Sequence, residues 1–170
     1  CMALSKTWAT DKIPNVSQAV TPLLYKPAGW VFGIWANSGQ EAMVLADLID
    51  RSWDKEAKGR PPTVGFLGWA NPIGTVPAIF FKMQSEKHGF KIGPDLYFTP
   101  AAIDFTPQLK ACHKAGCDYV YFFTASPQGA AVQKQNYELG FSKDMTIVQA
   151  CPNMTTLGPM GPIQTLPAEV

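Results

Sequence analysis

The chain has 170 residues, of which 46% are hydrophobic and 16% charged, and its formal net charge at pH 7 is +1. This composition excludes disordered and fibrous proteins, and the length is sufficient for a domain with a buried core. The sequence has no block of basic residues, so it gives no indication of a nucleic-acid partner. No apolar run approaches the roughly 20 residues of a membrane span.

The first third of the chain contains two strand candidates and a long helix. The strands are "IPNVS" (13–17) and "GWVFGIWA" (29–36). The helix is predicted over 38–59, where Ser38 followed by Glu41 has the spacing of a capping box. These elements precede a more regular part of the chain.

From "PPTVGFLGW" (61–69) onward, apolar strands alternate with helices. Each of three predicted helices ends at a glycine, Gly89, Gly116 or Gly140, which suits the left-handed position after a helix. Gly93 and Pro94 are a point at which the second strand of this series is expected to break. Strands are predicted at 62–68, 91–98, 118–124 and 145–150, and helices at 76–89, 104–116 and 126–140.

The rhythm of roughly 25 residues is typical of successive βα units. Continuous apolar strands indicate burial on both faces of a parallel sheet. The predicted fold class is therefore α/β, with a doubly wound parallel sheet. The segment 152–170 is rich in proline and threonine, which predicts a loop or a poorly specified helix.

In such a sheet, ligands meet the carboxyl ends of the strands. Asp104 is the only charged residue in the four segments that follow the strands, and none of them contains a histidine. They carry no phosphate-loop glycine pattern, no paired carboxylates and no Gly-x-Ser-x-Gly elbow. Hydroxyl groups, backbone amides and an aromatic ring remain, which predicts binding without catalysis. The segments are "GWANPIG" (68–74), "FTPAAID" (98–104), "TASPQ" (124–128) and "QACPN" (149–153).

Single residues at or near this edge have two interpretations each. Cys151 is a candidate nucleophile, but no histidine is placed to activate it, which favours a small wall residue. His113 beside two cysteines suggests a metal, although adjacent helical positions face apart. His88 is interpreted as a cation near a helix C-terminus, and Asp104 as a helix cap rather than a ligand contact. Trp69 is either core or cleft wall.

The four cysteines are Cys1, Cys112, Cys117 and Cys151, and their spacing fits no zinc pattern. Cys112 and Cys117 are predicted to approach each other across a helix end. Sequence spacing leaves both a disulfide and free thiols open. We therefore expect no metal and no cofactor.

The order of these segments resembles the type I periplasmic binding proteins, in particular the branched-chain amino-acid group of ABC-transporter receptors. Asp104-Phe105-Thr106 opens a helix, and Gly116-Cys117-Asp118 leads into an apolar strand. A helix that ends in Leu139-Gly140 follows, and "KIPNVSQAVTP" (12–22) resembles the end of the first lobe's ligand-side strand. The resemblance extends over nearly the whole chain.

The resemblance implies a receptor with two lobes that close on a ligand about a hinge. Residues 1–36 would be the end of the first lobe and a hinge strand, with the crossing near Trp35–Ser38. Residues 37–170 would be the second lobe, incomplete at its C-terminal end. Such a receptor is periplasmic or extracellular and delivers its ligand to a membrane permease. The missing lobe segments, or another copy of the chain, are the expected partners for the first two strands.

The resemblance also implies ligand-binding positions. In amino-acid receptors an acidic residue after the fourth strand pairs with the ligand's ammonium group, and this position falls on or beside Cys151. A buried ammonium without a partner is unfavourable. A carboxylate or amide ligand without an ammonium, with an aromatic or branched aliphatic body, is therefore expected. The implied ligand-binding residues are Ser17, Ala19, Thr21, Trp69, Ile73, Ala125 and Cys151.

Three other functions remain open from the sequence. A cytoplasmic ligand sensor of the same fold would regulate a partner by lobe closure. An α/β enzyme domain would have its catalytic residues outside this chain. A structural α/β domain would bind no ligand.

Overall fold

A computed structural model describes residues 4–17, 22, 29–34, 36–124 and 128–149. After the short helix α1 (Ser5–Thr10), strands β1 (Asn15–Ser17) and β2 (Val31–Gly33) form a two-stranded parallel sheet. Both strands fall inside the segments predicted from the sequence. Each is shorter than predicted, with three residues in the sheet.

The rest of the described chain alternates helices and strands. The elements in order are α2 (Ser38–Ser52), α3 (Lys55–Lys58), β3 (Thr63–Trp69), α4 (Pro72–Lys87), β4 (Lys91–Phe98), α5 (Thr106–Lys114), β5 (Tyr119–Phe123), α6 (Gln128–Glu138), a 3-10 helix (Phe141–Lys143) and β6 (Thr146–Gln149).

Strands β3 to β6 form one sheet in the order β4-β3-β5-β6, and every neighbouring pair is parallel. The predicted parallel sheet is confirmed, with strand bounds that differ by one residue or none. The bulge at Gly93-Pro94 shifts the register between β3 and β4, but the strand continues through it. No helix in the described part of the chain is both long and apolar enough to cross a bilayer.

Helices cover both faces of this sheet, as the doubly wound prediction requires. Alternate residues along a strand point to opposite faces, so that Tyr121 packs toward α2 and α4 while Phe122 packs toward α5 and α6. The core between the sheet and helices α2 and α4 consists mainly of Ala42, Ala46, Ile49, Phe66, Ala78, Phe81 and Tyr121. The core between the sheet and helices α5 and α6 consists mainly of Leu67, Phe98, Phe105, Leu109, Val120, Phe122, Val132 and Met145.

The predicted helix over 38–59 is wrong in two respects. Its capping box lies one residue earlier, because the Asn37 side chain accepts from the Gly39 and Gln40 amides and Gln40 accepts from the Asn37 amide. The helix also ends at Ser52, where Trp53 takes an extended conformation. Asp54 then caps α3 by accepting from the Ala57 amide, so one predicted helix is two.

The three helix ends predicted at glycines are confirmed, while the predicted start of the helix over 76–89 is wrong. Gly89, Gly116 and Gly140 all have positive φ values, in the left-handed conformation that glycine tolerates. Helix α4 begins at Pro72 rather than at 76, since Asn71 caps it directly after β3. The predicted cap of α6, Ser126 followed by Pro127, lies outside the described residues, as does the segment 152–170.

Candidate functional site

The carboxyl ends of β3, β4 and β5 meet at one edge of the four-stranded sheet. Trp69 is the last residue of β3, and the Ala70 amide that follows donates to the Phe98 carbonyl at the end of β4 over 2.9 Å. Thr124 follows β5 directly and is buried. The edge therefore brings together one half-buried aromatic ring and one buried hydroxyl group.

Gln128, at the start of α6, connects the residues of this edge. Its Oε1 accepts hydrogen bonds from the Trp69 indole Nε1, at 2.9 Å, and from the Thr124 hydroxyl. Its Nε2 donates to the carbonyls of Pro100 (3.0 Å) and Ala102 (2.8 Å) in the loop after β4. The buried amide thus makes four hydrogen bonds and fixes the ends of three strands. The indole nitrogen of Trp69 is hydrogen-bonded to Gln128, which leaves the exposed part of the ring available for apolar contact.

The N-terminus of α4 is closed by its own cap. The Asn71 side chain accepts from the amides of Ile73 (2.9 Å) and Gly74 (3.2 Å). Gly74 packs so close to β3 that a β-carbon there would overlap the Trp69 carbonyl oxygen. These contacts hold the first turn of α4 against Trp69, and they occupy two of the amides that a ligand carboxylate would otherwise use.

The loop before α5 is fixed in a similar way. Asp104 accepts from the Thr106 amide at 2.9 Å, and hydrogen bonds from the Thr106 amide and hydroxyl hold the pKa of this carboxyl below its usual range. The expectation that Asp104 is the N-cap of its helix is wrong, because Phe105 holds that position without a side-chain cap. Asp104 lies one residue earlier and accepts from the amide of Thr106, the first helical residue. Gln135 accepts from the Phe105 amide (2.7 Å) and donates to the Ile103 carbonyl (2.8 Å).

Two isoleucines are exposed beside this edge. Ile73 in the first turn of α4 is 42% exposed, and Ile103 in the loop before α5 is 82% exposed. An edge that combines an indole ring with aliphatic side chains, and in which the polar atoms of Trp69, Thr124 and Gln128 are hydrogen-bonded to one another, is suited to cover the apolar body of a ligand.

The sequence-predicted ligand residues fall in different places. Trp69 and Ile73 lie on this edge, Trp69 at the end of β3 and Ile73 in the first turn of α4, which packs against the Trp69 backbone at Gly74. Ser17 is the last residue of β1, in the two-stranded sheet. Ala19, Thr21, Ala125 and Cys151 lie outside the described residues, as does Trp35 at the predicted hinge. For all seven positions the ligand-binding role stays a prediction.

Gln128 and Thr124 were not singled out from the sequence. The sequence does contain a pattern that could have indicated this pair. The segment "TASPQ" follows an apolar strand, and the hydroxyl of Thr124 and the amide of Gln128, four residues later, can meet across a strand-to-helix turn. That signal locates the pair, but the partners of Gln128 on two other loops are set by the tertiary fold.

Both histidines have structural roles. His88 ends α4 and contacts carboxylates on α2, with Nε2 2.7 Å from Asp47 and Nδ1 3.3 Å from Asp50. His113 stacks on the Phe141 ring at a centroid distance of 4.0 Å. Across the described ranges, no three His, Cys, Asp or Glu side chains are grouped as metal ligands.

A polar groove of about 440 Å³ lies at the opposite edge, beside the start of β5 and β6. Arg60 and Asp118 form a bidentate ion pair there at 2.7 and 2.8 Å, and Trp53 lies under the Arg60 guanidinium. Since its central charges neutralise each other and it lies at the amino ends of the strands, this groove is not a counterpart of the Trp69 edge.

Comparison with known proteins places this geometry in a fold group. No protein-family model and no curated protein sequence matches the chain. A solute-binding protein of an ABC transporter from Rhodopseudomonas palustris BisB5, in complex with 3,4-dihydroxybenzoic acid, matches with a TM-score of 0.72 and 21% identity over 90% of this chain and 41% of that chain. A branched-chain amino acid ABC transporter protein from Thermus thermophilus with bound valine gives 0.76 and 19% over 87% and 37%. A periplasmic binding protein type 1 from Bordetella pertussis Tohama I gives 0.73 and 15% over 95% and 44%.

These similarities establish the fold. The described chain has the α/β fold of type I periplasmic binding proteins, which confirms the fold that the resemblance implied. The chain spans between 37% and 44% of the length of these three structures.

Proposed function

We propose that this chain provides the second lobe, and the adjoining end of the first lobe, of an extracytoplasmic solute-binding receptor for an ABC transporter. The observation that carries the proposal is the edge formed by Trp69, Ile73 and the loop after β4. It lies at the carboxyl ends of parallel strands, where ligands of this sheet class bind. The fold is shared with solute-binding proteins of ABC transporters that hold small ligands.

In this proposal the two lobes close on the ligand about a hinge near Trp35–Ser38. Trp69 and Ile73 cover the apolar body of the ligand from the second lobe, with Gln128 holding the indole in place. Ser17, Ala19 and Thr21 bind its polar end from the first lobe. Ala125 and Cys151 complete the wall, and the closed receptor docks on a membrane permease.

The ligand proposed is a small carboxylate or amide without an α-ammonium group. Asp104 is the one carboxylate among the described residues of the strand-end segments, and its oxygen is held by the Thr106 amide. An ammonium enclosed against Trp69 and Ile73 without a carboxylate partner would cost several kcal/mol. Among proteins of this fold, one is described with 3,4-dihydroxybenzoic acid and another with valine, so the fold accommodates both classes.

Calorimetric titration of a receptor that contains this chain with a complete first lobe tests the proposal. The ligands are 4-hydroxybenzoate, leucine and 4-methylpentanoate, which is leucine's carbon skeleton without its amino group. We expect either ammonium-free acid to bind at least about tenfold more tightly than leucine, since one unpaired ammonium costs more than about 1.4 kcal/mol. Tighter binding of leucine would exclude the ligand class and indicate an acid from other segments. Conversion of a bound acid to a product would favour an enzyme.

Two variants examine the role of the edge. Trp69→Ala is expected to weaken ligand binding about 10- to 100-fold, because an aromatic contact surface is lost. Ile79→Ala, at an apolar but exposed position on α4 away from this edge, should bind as the parent does. If the parent and both variants bind the ligand equally tightly, Trp69 does not contact the ligand. Recovery of the protein in the cytoplasmic rather than the exported fraction would favour the sensor over the receptor.

A further inference from the structure

Cys112 and Cys117 flank the turn between α5 and β5. Both are buried and both are free thiols. The Cys117 amide donates to the Cys112 carbonyl at 3.1 Å and the Gly116 amide donates to the His113 carbonyl at 2.9 Å, with Gly116 in the left-handed conformation. This is the hydrogen-bond pattern of a Schellman motif, in which the two outer residues contact each other. Here both outer residues are cysteines.

The two sulfur atoms share one slot between α5 and the sheet. A β-carbon at Gly65 of β3 would lie 3.2 Å from Cys117 Sγ and 3.5 Å from Cys112 Sγ, and one at Gly93 of β4 would lie 2.7 Å from Cys117 Sγ. The missing side chains of Gly65 and Gly93 therefore provide the space that the sulfur atoms occupy. Both sulfur atoms are therefore neighbours of the same backbone position on β3.

In the folded chain the two thiols differ in acidity. The adjacent Cys112 thiol lowers the pKa of Cys117, while the adjacent Cys117 thiol and burial raise the pKa of Cys112.

We propose that Cys112 and Cys117 form an intrachain disulfide bond that staples the end of α5 to the start of β5. The geometry supplies the contact, because the backbone of the motif already holds the two residues together and a disulfide requires Cα atoms within roughly 4.4–6.8 Å. Its formation in the cell rests on the proposed extracytoplasmic location, since disulfides persist in oxidising compartments.

The reaction is thiol–disulfide exchange with an external disulfide, either of a small molecule or of an oxidoreductase. The thiolate of one cysteine attacks one sulfur of the oxidant and forms a mixed disulfide, which releases the first thiolate of the oxidant. The other cysteine, after losing its proton, attacks the cysteine sulfur of the mixed disulfide and displaces the second thiolate. Two electrons and two protons pass to the oxidant. Because both thiols are buried in the fold, the exchange takes place while the chain folds, before α5 closes over β3.

The experiment is oxidative refolding followed by peptide mapping. The reduced chain is refolded in a glutathione redox buffer, free thiols are alkylated under denaturing conditions, and the protein is digested with trypsin. Lys114 lies between the two cysteines, so cleavage separates residues 111–114 from 115–134. We expect these two peptides joined by a reducible bond. Two separately alkylated peptides, or a bond from either cysteine to Cys1 or Cys151, would overturn the proposal.

Stability and reduction rate provide independent readouts. The oxidised chain should melt roughly 4–8 °C above the reduced chain, as expected for a cross-link that closes a short loop. The Cys112→Ala variant should have the same melting temperature under oxidising and reducing conditions, even if that temperature differs from the parent's. Dithiothreitol should reduce the bond slowly in the folded chain and rapidly in urea, because the sulfur atoms are buried. An equally fast reduction in both would contradict the assigned position.

Ligand titration separates this proposal from the proposed function. A receptor that binds its acid ligand but keeps both thiols reduced would overturn only the disulfide. A stapled chain in a receptor that binds no ligand would overturn only the receptor function.

Discussion

The described residues form two parallel sheets, which differ in how their apolar side chains are covered. In the four-stranded sheet, Leu67 and Phe122 are fully buried beneath helices. In the β1–β2 pair, Val16 is 67% exposed and Phe32 53% exposed. The backbone pairing is the same kind in both sheets, and only the layers above and below differ.

This difference shows which part of the chain has its own core. Parallel sheets are stable when helices cover both faces, which α2, α4, α5 and α6 do for the larger sheet. Of the described apolar side chains in the β1–β2 pair, Val31 is buried while Val16 and Phe32 are exposed, and these two provide a surface for further chain. We infer that the four-stranded sheet folds as a unit, and that the exposed Val16 and Phe32 would become buried against the first lobe that the proposed function requires.

The largest expected effect is on the free energy of unfolding, and it tests whether the four-stranded sheet has its own core. Leu67→Ala should lower the free energy of unfolding of this chain by about 3 kcal/mol, because it leaves a cavity in a closed core. Phe32→Ala should lower it by less than about 0.5 kcal/mol, as is usual for an exposed position. Urea denaturation of both variants measures the two values.

Adding the first lobe should change only one of these values. With β1 and β2 covered, Phe32→Ala is expected to cost about 3 kcal/mol, as in other buried aromatic truncations, while the cost of Leu67→Ala stays the same. If Phe32→Ala already destabilises the short chain as strongly as Leu67→Ala, the comparison between the two sheets fails.

A second expected effect concerns the polar connection at the ligand-side edge. Gln128→Leu removes the partner of Thr124 Oγ1, Trp69 Nε1 and two carbonyls. Leaving such buried groups unsatisfied should destabilise the larger sheet by roughly 1–3 kcal/mol. Gln133→Leu on the same helix removes one hydrogen bond, to the Ile147 carbonyl, and should have a smaller effect. Thermal unfolding of the two variants provides the comparison, and equal losses would show that Gln128 does not connect the strand ends.

A third effect is smaller and depends on pH. Burial raises the pKa of Asp118, but hydrogen bonds from Arg60 and the Thr63 amide outweigh it and hold the pKa below its ordinary value. A depressed pKa stabilises the fold above the unfolded-state pKa, and this stabilisation is lost as the pH falls through the folded-state pKa. Stability should therefore decline below about pH 4.

Asp118→Asn should cost about 1 kcal/mol at pH 7 and should weaken this decline, since the ion pair is gone before acid is added. Asp144→Asn changes a mostly exposed carboxylate 3.8 Å from His113 and is the control. Chemical denaturation at a series of pH values distinguishes them. An unaltered acid dependence in Asp118→Asn would assign the decline to other carboxylates.

The smallest expected effect is weak self-association of the short chain through β1 and β2. Apolar strand edges with exposed side chains pair with other copies, and we expect a concentration-dependent increase in sedimentation coefficient. Phe32→Glu should reduce it by placing charge on the exposed surface, whereas Ile103→Glu, on the other sheet's edge, should not. A chain that stays monomeric at high concentration would mean that the pair needs no partner.

The local sequence was sufficient to predict most of the strands of the larger sheet and the ends of its helices. The apolar runs around Leu67 and Val120, and the glycines that end α4, α5 and α6, predicted its strands and helix ends to within a few residues. These signals are local, because strand burial and the left-handed position of glycine depend on a few neighbouring residues. The start of α4 was missed because Asn71, in a loop-like stretch with Pro72, caps it at once.

Within the candidate site, the sequence identified positions, and the tertiary structure determined their partners. The end of β3 indicated Trp69, since strand ends of parallel sheets follow from strand order alone. Gln128 became visible only in the fold, where it reaches Trp69, Thr124 and the loop after β4. The slot that joins Cys112 and Cys117 likewise requires Gly65 and Gly93 from two neighbouring strands. Such contacts join residues distant along the chain, and no local periodicity encodes them, because they exist only after the strands pair and the helices pack.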